Sequence, residues 1–356
     1  MVRSAVVTGR ATFAVPGDIT TLSGGYGYDR RIIAELRRLG RDVTLLPLGD
    51  GFPRPSPAQK AIAQERLLAT LTDRPLVIDG LAFGMLPEAA ALLHAERPVV
   101  ALIHHPLALE TGLTPHEAAR LRDSERAALA STRRIVATSR ATADLLAAQF
   151  DVPSGHIDVI VPGTDRGSFA TGSDRAPLRL LSVGAIVPRK GFDVLVEALA
   201  RLTDLPWRLT IVGDRTRDLQ AVARLDAAIA HHCLEDRIEN MGAVSSGRLA
   251  ALYAGANLFV LASHFEGYGM AYAEAIAHGL PVVGTTGGAI PQTVSLSAGI
   301  LVPPGDIEAL AQVLRELIGN DVRRRALAMG ARDEAGALPS WADSGARFAR
   351  VLESLS

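Results

Sequence analysis

Along this chain, short runs of Val, Ile and Leu recur at intervals, and between them apolar residues return every three or four positions. Continuous apolar runs suit strands buried on both faces, and the wider spacing suits amphipathic helices, so the alternation predicts parallel sheets covered by helices. A first set of strand runs comprises SAVVTG, DVTLLPL, PLVIDG, PVVALIHH, RIVATS and IDVIVPG. A second comprises LRLLSVG, RLTIVG, RIENMG, NLFVLAS, PVVGTT and GILVP. Many of these runs end in Gly, Ser, Thr or His. In doubly wound sheets ligands bind beyond the carboxyl ends of the strands, where small residues permit close approach.

Gly, Pro, Ser and Asp accumulate in VPGTDRGSFATGSDRAP, residues 161–177, which reads as the join between two α/β domains. The expected division is residues 1–165 and 166–339. A last helical pattern, SWADSGARFARVLESL, follows the turn GALPS and presents Trp341, Phe348, Val351 and Leu352. This terminal piece, 340–356, packs on one of the two domains, with a return to the first as one option. Two such domains facing one another leave a cleft in which ligands commonly bind.

A chain of 356 residues with 48% hydrophobic content has material for two cores. Net charge is −1, so no nucleic-acid partner is expected, since phosphates call for a strongly basic face. One cysteine, Cys233, rules out an intrachain disulfide and fits a reducing compartment. His231 and His232 beside it lack a second ligand cluster at metal-binding spacing, and no Asp-x-Asp triplet occurs, so no metal is expected. The apolar run in MVRSAVVTGR is too short for a signal peptide, and no segment is long enough to span a bilayer. The expectation is a cytoplasmic chain.

Candidate chemistry gathers at four places. In SVGAIVPRKGFDVLVEALARL a strand gives way to a loop and then a helix. Arg189 and Lys190 thus stand at a helix amino terminus, where backbone N–H groups already favour an anion such as a diphosphate. Only Lys60 and Lys190 are lysines. A plain solvated basic pair is the competing view. In DITTLSGGYGYDRRIIAEL, Gly24 and Gly25 can bring backbone amides close to a charged ligand before a helix carrying Ile32, Ile33, Leu36 and Leu39. A dinucleotide fingerprint counted from Gly25 passes Gly27 but meets Arg30 where a third glycine is needed.

PVVALIHHPLALETG sets His104 and His105 at a strand's end, where alternation lets only one face a site. HFEGYGMAYAEAIAHG places Glu266 in a glycine-loosened loop and Glu274 in the following helix. Carboxylates there are strong acceptors for vicinal hydroxyls, as in a sugar, whereas a diphosphate would choose the amides and cations.

Taken in order, SGG, HHP, VPGTD, PRKG, IVGD, NMGAV and the stretch from Leu252 to Val294 resemble the retaining glycosyltransferases of family four. The resemblance implies the α/β GT-B fold, with two Rossmann-like doubly wound parallel-sheet domains facing across a cleft. It implies a nucleoside-diphosphate sugar (UDP- or GDP-linked) as donor and transfer of a hexose with retained configuration. No cofactor and no metal are implied. Carried over residue by residue, Arg189 and Lys190 bind the donor diphosphate, Glu266 faces the transferred sugar and Glu274 holds the ribose. Gly267, Tyr268, Gly269 and Met270 touch sugar and phosphate, Gly24 and Gly25 approach the diphosphate, and Gly213 and Met241 line the base. His105, followed by PLA, is taken as the active-site histidine. Tyr268, Met270 and Ala271 depart from the more usual Phe and Leu-Pro of the family's glycine loop.

A non-catalytic nucleotide-sugar binding subunit and a nucleotide-sugar epimerase are the alternatives. The acceptor is open among small molecules, lipid and polysaccharide. RRIIAELRRLGR reads first as an ordinary amphipathic helix, with peripheral docking on anionic lipid at the inner membrane face as the other option.

Overall fold

In the computed structural model, which describes residues 9–172 and 176–355, the apolar runs become two six-stranded sheets, parallel throughout. The chain divides into two compact units, one running to Gly163 and resuming at Pro339, the other spanning Thr164–Leu338. Each has its own apolar core.

In the first unit the strands are β1 (Arg10–Val15), β2 (Asp42–Pro47), β3 (Leu76–Asp79), β4 (Val99–Ile103), β5 (Arg134–Ala137) and β6 (Ile157–Val159). Its helices are α1 (Gly24–Arg38), α2 (Pro57–Leu68), α3 (Gly80–Phe83), α4 (Pro87–His94), α5 (Pro115–Leu129) and α6 (Arg140–Gln149). Strand order is β2-β1-β3-β4-β5-β6, so connections leave β1 in opposite directions and a crevice forms at the ends of β1 and β3. The run SAVVTG lies outside the described residues except for Gly9; the first described strand is the next apolar run, whose Phe13 sits buried between Leu45 and Val77.

The second unit holds β7 (Leu178–Val183), β8 (Trp207–Val212), β9 (Ile238–Asn240), β10 (Leu258–Val260), β11 (Val282–Thr285) and β12 (Gly299–Val302). Between them lie α7 (Phe192–Ala200), α8 (Leu219–His231), α9 (Ser246–Gly255), α10 (Met270–Ala277) and α11 (Ile290–Thr293), followed by α12 (Ile307–Gly319) and α13 (Asp321–Ala335). The order β12-β11-β10-β7-β8-β9 puts the reversal between β7 and β10.

The last helix, α14 (Trp341–Glu353), belongs to the first unit. A Ser340–Asp343 capping box starts it, and Trp341, Phe348, Val351 and Leu352 are buried. Gly345 lets it lie tight on α1, for a Cβ there would stand 2.4 Å from Glu35 Cβ. Phe348 meets Phe13 at 5.5 Å between ring centres, and Ser344 Oγ donates to the Val161 carbonyl at 2.7 Å.

Candidate functional site

At the reversal of the second sheet, the loops after β7 and β10 touch. A single 3-10 turn, Pro188–Lys190, ends at Gly191, whose φ is 62°. A Cβ at Gly191 would fall 2.1 Å from the Ala262 carbonyl oxygen, so glycine is required twice over, by conformation and by space. The His264 amide donates to the Arg189 carbonyl at 2.8 Å, tying the two loops together.

That approach brings Lys190 Nζ to 2.6 Å from Glu266 Oε1 and Arg189 Nη1 to 3.3 Å from Oε2. Arg189 Nη1 also donates to the Phe265 carbonyl, and Ser263 Oγ to Glu266 Oε1, both at 2.6 Å. Burial alone would raise the Glu266 carboxyl, but the charges of Lys190 and Arg189, with hydrogen bonds from Lys190 and Ser263, hold it down at about 2. Burial lowers the Lys190 ammonium, with Glu266 opposing and Arg189 and Arg217 adding to the fall. Expected as an acceptor for sugar hydroxyls, Glu266 is also the hub of a buried ion cluster. Two cations against one carboxylate leave a surplus of one positive charge.

Beyond Glu266 the chain turns through Gly267 and Tyr268 to Gly269, which starts α10 with φ 92° and no side-chain cap. The first amides of α10 thus face outward beside the cation cluster. Thr293 Oγ1 donates to the Tyr268 carbonyl at 2.6 Å, and burial pushes the Tyr268 phenol up to about 12. Met270 opens the helix, and Glu274 lies one turn on, accepting from the Tyr253 hydroxyl at 2.9 Å. Burial raises the Glu274 carboxyl, partly offset by Tyr253 and by Lys190, while Asp165 adds to the rise. Gly213 follows β8 and lies against the loop after β7, since a Cβ there would stand 1.7 Å from the Gly184 carbonyl oxygen. Met241, partly buried, follows β9 at the same edge, its amide bonded to Ile211.

Sequence reading missed the floor of this site. Gly287 and Gly288 press on the Glu266 loop, where a Cβ would come within 2.3 Å of the carbonyl oxygens of His264 and Glu266 respectively. Thr285 Oγ1 donates to the Ser263 carbonyl at 2.5 Å. The signal was present as TTGG directly after a strand.

In the first unit, Gly24 and Gly25 are not in a loop before α1 but form its first turn, capped by Ser23, whose Oγ accepts from the Tyr26 amide at 3.2 Å. Arg30, which breaks the dinucleotide pattern, donates to the carbonyls of Thr21 and Ile19 and so closes the preceding loop. Leu39 caps the helix and is exposed.

Of the two histidines, His104 and not His105 lies against the glycine turn: a Cβ on Gly25 would be 3.3 Å from His104 Cδ2. Alternation past β4 turns the His105 ring the other way, toward Glu110, with Nε2 at 3.9 Å from its carboxylate. Glu125, buried on α5, anchors the segment after them by accepting from the amides of Leu107 and Ala108 at 2.7 and 2.9 Å.

His104 Nε2 stands 3.0 Å from Asp29 Oδ1 and 3.8 Å from Asp79 Oδ2. Among the described residues this is a group whose ligand-type atoms come within 4.8 Å of one another, from three elements that no spacing rule connects. Burial raises Asp29 to about 7 and Asp79 well above its usual range, and it lowers His104. Those directions favour a trio that shares protons. Asp29 could have been noticed as an acid on the apolar stripe of Ile32, Ile33 and Leu36.

Residues 177–320 match the model for "Glycosyl transferases group 1", and residues 27–167 match that for "Glycosyltransferase Family 4". The chain is 34% identical over 270 residues to a D-inositol 3-phosphate glycosyltransferase of Xylanimonas cellulosilytica, covering 68% of this chain and 64% of that relative. The match thus spans less than two thirds of that protein. Similarity to an MMP alpha-(1->4)-mannosyltransferase of Mycolicibacterium hassiacum is 26%, over 94% of this chain and 95% of the other. Among solved structures, the sucrose-phosphate synthase of Thermosynechococcus elongatus superposes with a TM-score of 0.81 at 19% identity, covering 97% of this chain and 99% of that one. Anabaena HepE in complex with UDP and glucose gives 0.76 at 19% identity, covering 96% and 99%.

Proposed function

The chain belongs to the family 4 glycosyltransferases, with their GT-B fold, and on that premise we propose that it transfers a hexose from a nucleoside-diphosphate sugar to an acceptor hydroxyl with retention of configuration. The observation that carries this is the Arg189–Lys190–Glu266 cluster beside the uncapped start of α10. Its surplus positive charge and outward amides suit a diphosphate, whose own charge grows as the sugar departs.

Glu266, held at about 2, is a weak base and is already engaged by its neighbours. It therefore suits neither the acid nor the base of a hydrolytic pair. Proton removal from the acceptor then falls to the leaving phosphate, with attack on the same face. Glu274, hydrogen-bonded by Tyr253 through one oxygen, is assigned to the ribose hydroxyls. Gly213 and Met241 are assigned to the base, and Gly267, Tyr268, Gly269 and Met270 to sugar and phosphate. On the first unit His104 replaces His105 as the histidine of the site, with Gly24 and Gly25 kept as an approach for the diphosphate.

Relatives named as GDP-mannose-dependent mannosyltransferases and the complex of HepE with UDP-glucose support a GDP- or UDP-linked hexose. The first relative's name supports a phosphorylated polyol as one acceptor class. Lipid docking through α1 has less support, since its arginines are used within the fold: Arg31 lies over Trp341, Arg37 bonds the Val43 carbonyl and Arg38 pairs with Glu35. No helix among the described residues is long and apolar enough to cross a membrane. Transfer without a metal ion is part of the proposal. The decisive experiment is a screen of UDP- and GDP-hexoses against polyol, lipid and glycan acceptors, read by mass spectrometry. Absence of both transfer and donor hydrolysis across the panel would favour a binding subunit.

A further inference from the structure

We propose that Asp29 and Asp79 are positioning residues that set the tautomer and aim of His104, leaving its Nδ1 as a hydrogen-bond acceptor. The geometry has three parts. Asp29 comes from α1 and is fully buried; Asp79 ends β3 and is 4% exposed. Asp79 Oδ1 accepts from the Leu81 amide at 2.6 Å, which pins that carboxyl to the start of α3. Asp29 Oδ1 then meets His104 Nε2 at 3.0 Å.

The ring is held from its other sides as well. Tyr28 packs edge-on at 5.2 Å between centres, and the Gly25 turn lies close against Cδ2, where an added Cβ would stand at 3.3 Å. Among the described residues, Nδ1 of His104 has no hydrogen-bond partner, and the side chain is 22% exposed. One end of the imidazole is thus buried on acids while the other is free for a ligand.

The charge pattern agrees. Burial raises both carboxyls, Asp79 beyond Asp29, so Asp79 is the one that keeps its proton and Asp29 the one that ionises beside Nε2, its other oxygen buried without a hydrogen-bond partner among the described residues. Arg30 also draws Asp29 toward its ionised form, and Tyr28, pushed well above its usual range, stays neutral. An ionised Asp29 takes the Nε2 proton, so the neutral ring must present Nδ1 as a bare acceptor. On the glycosyltransferase reading, and only there, what Nδ1 receives is a hydroxyl of the sugar or acceptor.

The tautomer can be read without activity, from long-range imidazole nitrogen–proton spectra of the full chain labelled at histidine. The His104 signals are identified by their loss in His104→Gln. The expected wild-type result at pH 8 is a protonated Nε2 and a bare Nδ1, giving way to a mixed signal in Asp29→Asn. A protonated Nδ1 or an averaged pair in wild type overturns the proposal, even if no variant folds. Zinc-induced shifts of these signals, reversed by EDTA, would make the trio a metal site and overturn it too.

With an active donor, Asp29→Asn should lower kcat roughly tenfold or more with little change in donor KM. Asp79→Asn, which keeps an oxygen to accept from the Leu81 amide, should keep most of kcat where Asp79→Ala loses it. Unchanged kcat in Asp29→Asn would remove the positioning role. Should wild type itself turn over no donor, the functional reading fails, yet the spectra still decide the tautomer.

Discussion

A carboxylate buried between a lysine and an arginine does more by staying charged than by exchanging protons. Lys190 and Arg189 hold Glu266 at about 2, so it is an anion at every working pH. Lys190→Ala should cost about 2–4 kcal/mol of transition-state stabilisation, seen as a fall in kcat with the fold retained by circular dichroism. Glu266→Gln should keep or strengthen affinity for free nucleoside diphosphate, because the cations lose a competitor, while sugar transfer drops. Glu274→Ala should weaken that affinity. Titration calorimetry of both variants checks the division, and the reverse pattern would exchange the two roles.

Glu125 obeys the opposite sign. Burial lifts it from 4.5 to about 7 against the pull of two amide hydrogen bonds, worth roughly 3 kcal/mol at most. The folded chain therefore binds the extra proton. That contribution is complete below pH 4.5 and is lost as pH rises through 7. Wild type should lose more melting temperature between pH 5 and pH 8 than Glu125→Gln does. Asp29 shifts the same way, so the variant should keep part of the slope.

At the scale of elements, the strands were legible because parallel sheets bury both faces and leave unbroken apolar runs such as PVVALI and NLFVLAS. At the start of the chain the rule does not separate the adjacent runs SAVV and ATFAV; the second pairs with β2 and β3, and the first lies outside the described residues. Arg189, Lys190, Glu266 and Glu274 could be found because each sits in a local strand–loop–helix pattern. Asp29, Asp79 and His104 could not be found together, since α1, β3 and β4 bring them into contact from distant stretches. The choice between His104 and His105 is open in the sequence for a related reason: alternation says that the two rings diverge, but not which one meets α1. Gly269 gives an element-scale test. With φ 92° and a Cβ position 2.9 Å from the Tyr272 ring, Gly269→Ala should destabilise by about 1–2 kcal/mol and misplace the first turn of α10. Denaturant unfolding measures the first effect and nucleotide affinity the second.

Over the whole molecule, each unit encloses its own core, so each is expected to have separate structural integrity. The second is continuous in sequence and holds every charged side chain assigned here to the nucleotide, while Gly24 and Gly25 lie in the first. Expressed alone, 164–338 should fold and bind free nucleoside diphosphate within about tenfold of the full chain, since no proposed phosphate or ribose contact of a charged side chain is removed. Loss of all binding in a folded fragment would show that the first unit supplies an indispensable contact.

The return of α14 to α1 has a consequence for the order of events during synthesis. The face of α1 that Trp341 and Phe348 cover, with Phe13 beneath it, is made long before those residues exist. A nascent chain released only as far as Leu338 therefore carries a finished second unit and a first unit still open along one helix. In that interval the older half of the protein is the less mature one, and ribosome-held chains ending there should be cut by protease near α1 well before the stretch 178–335 yields.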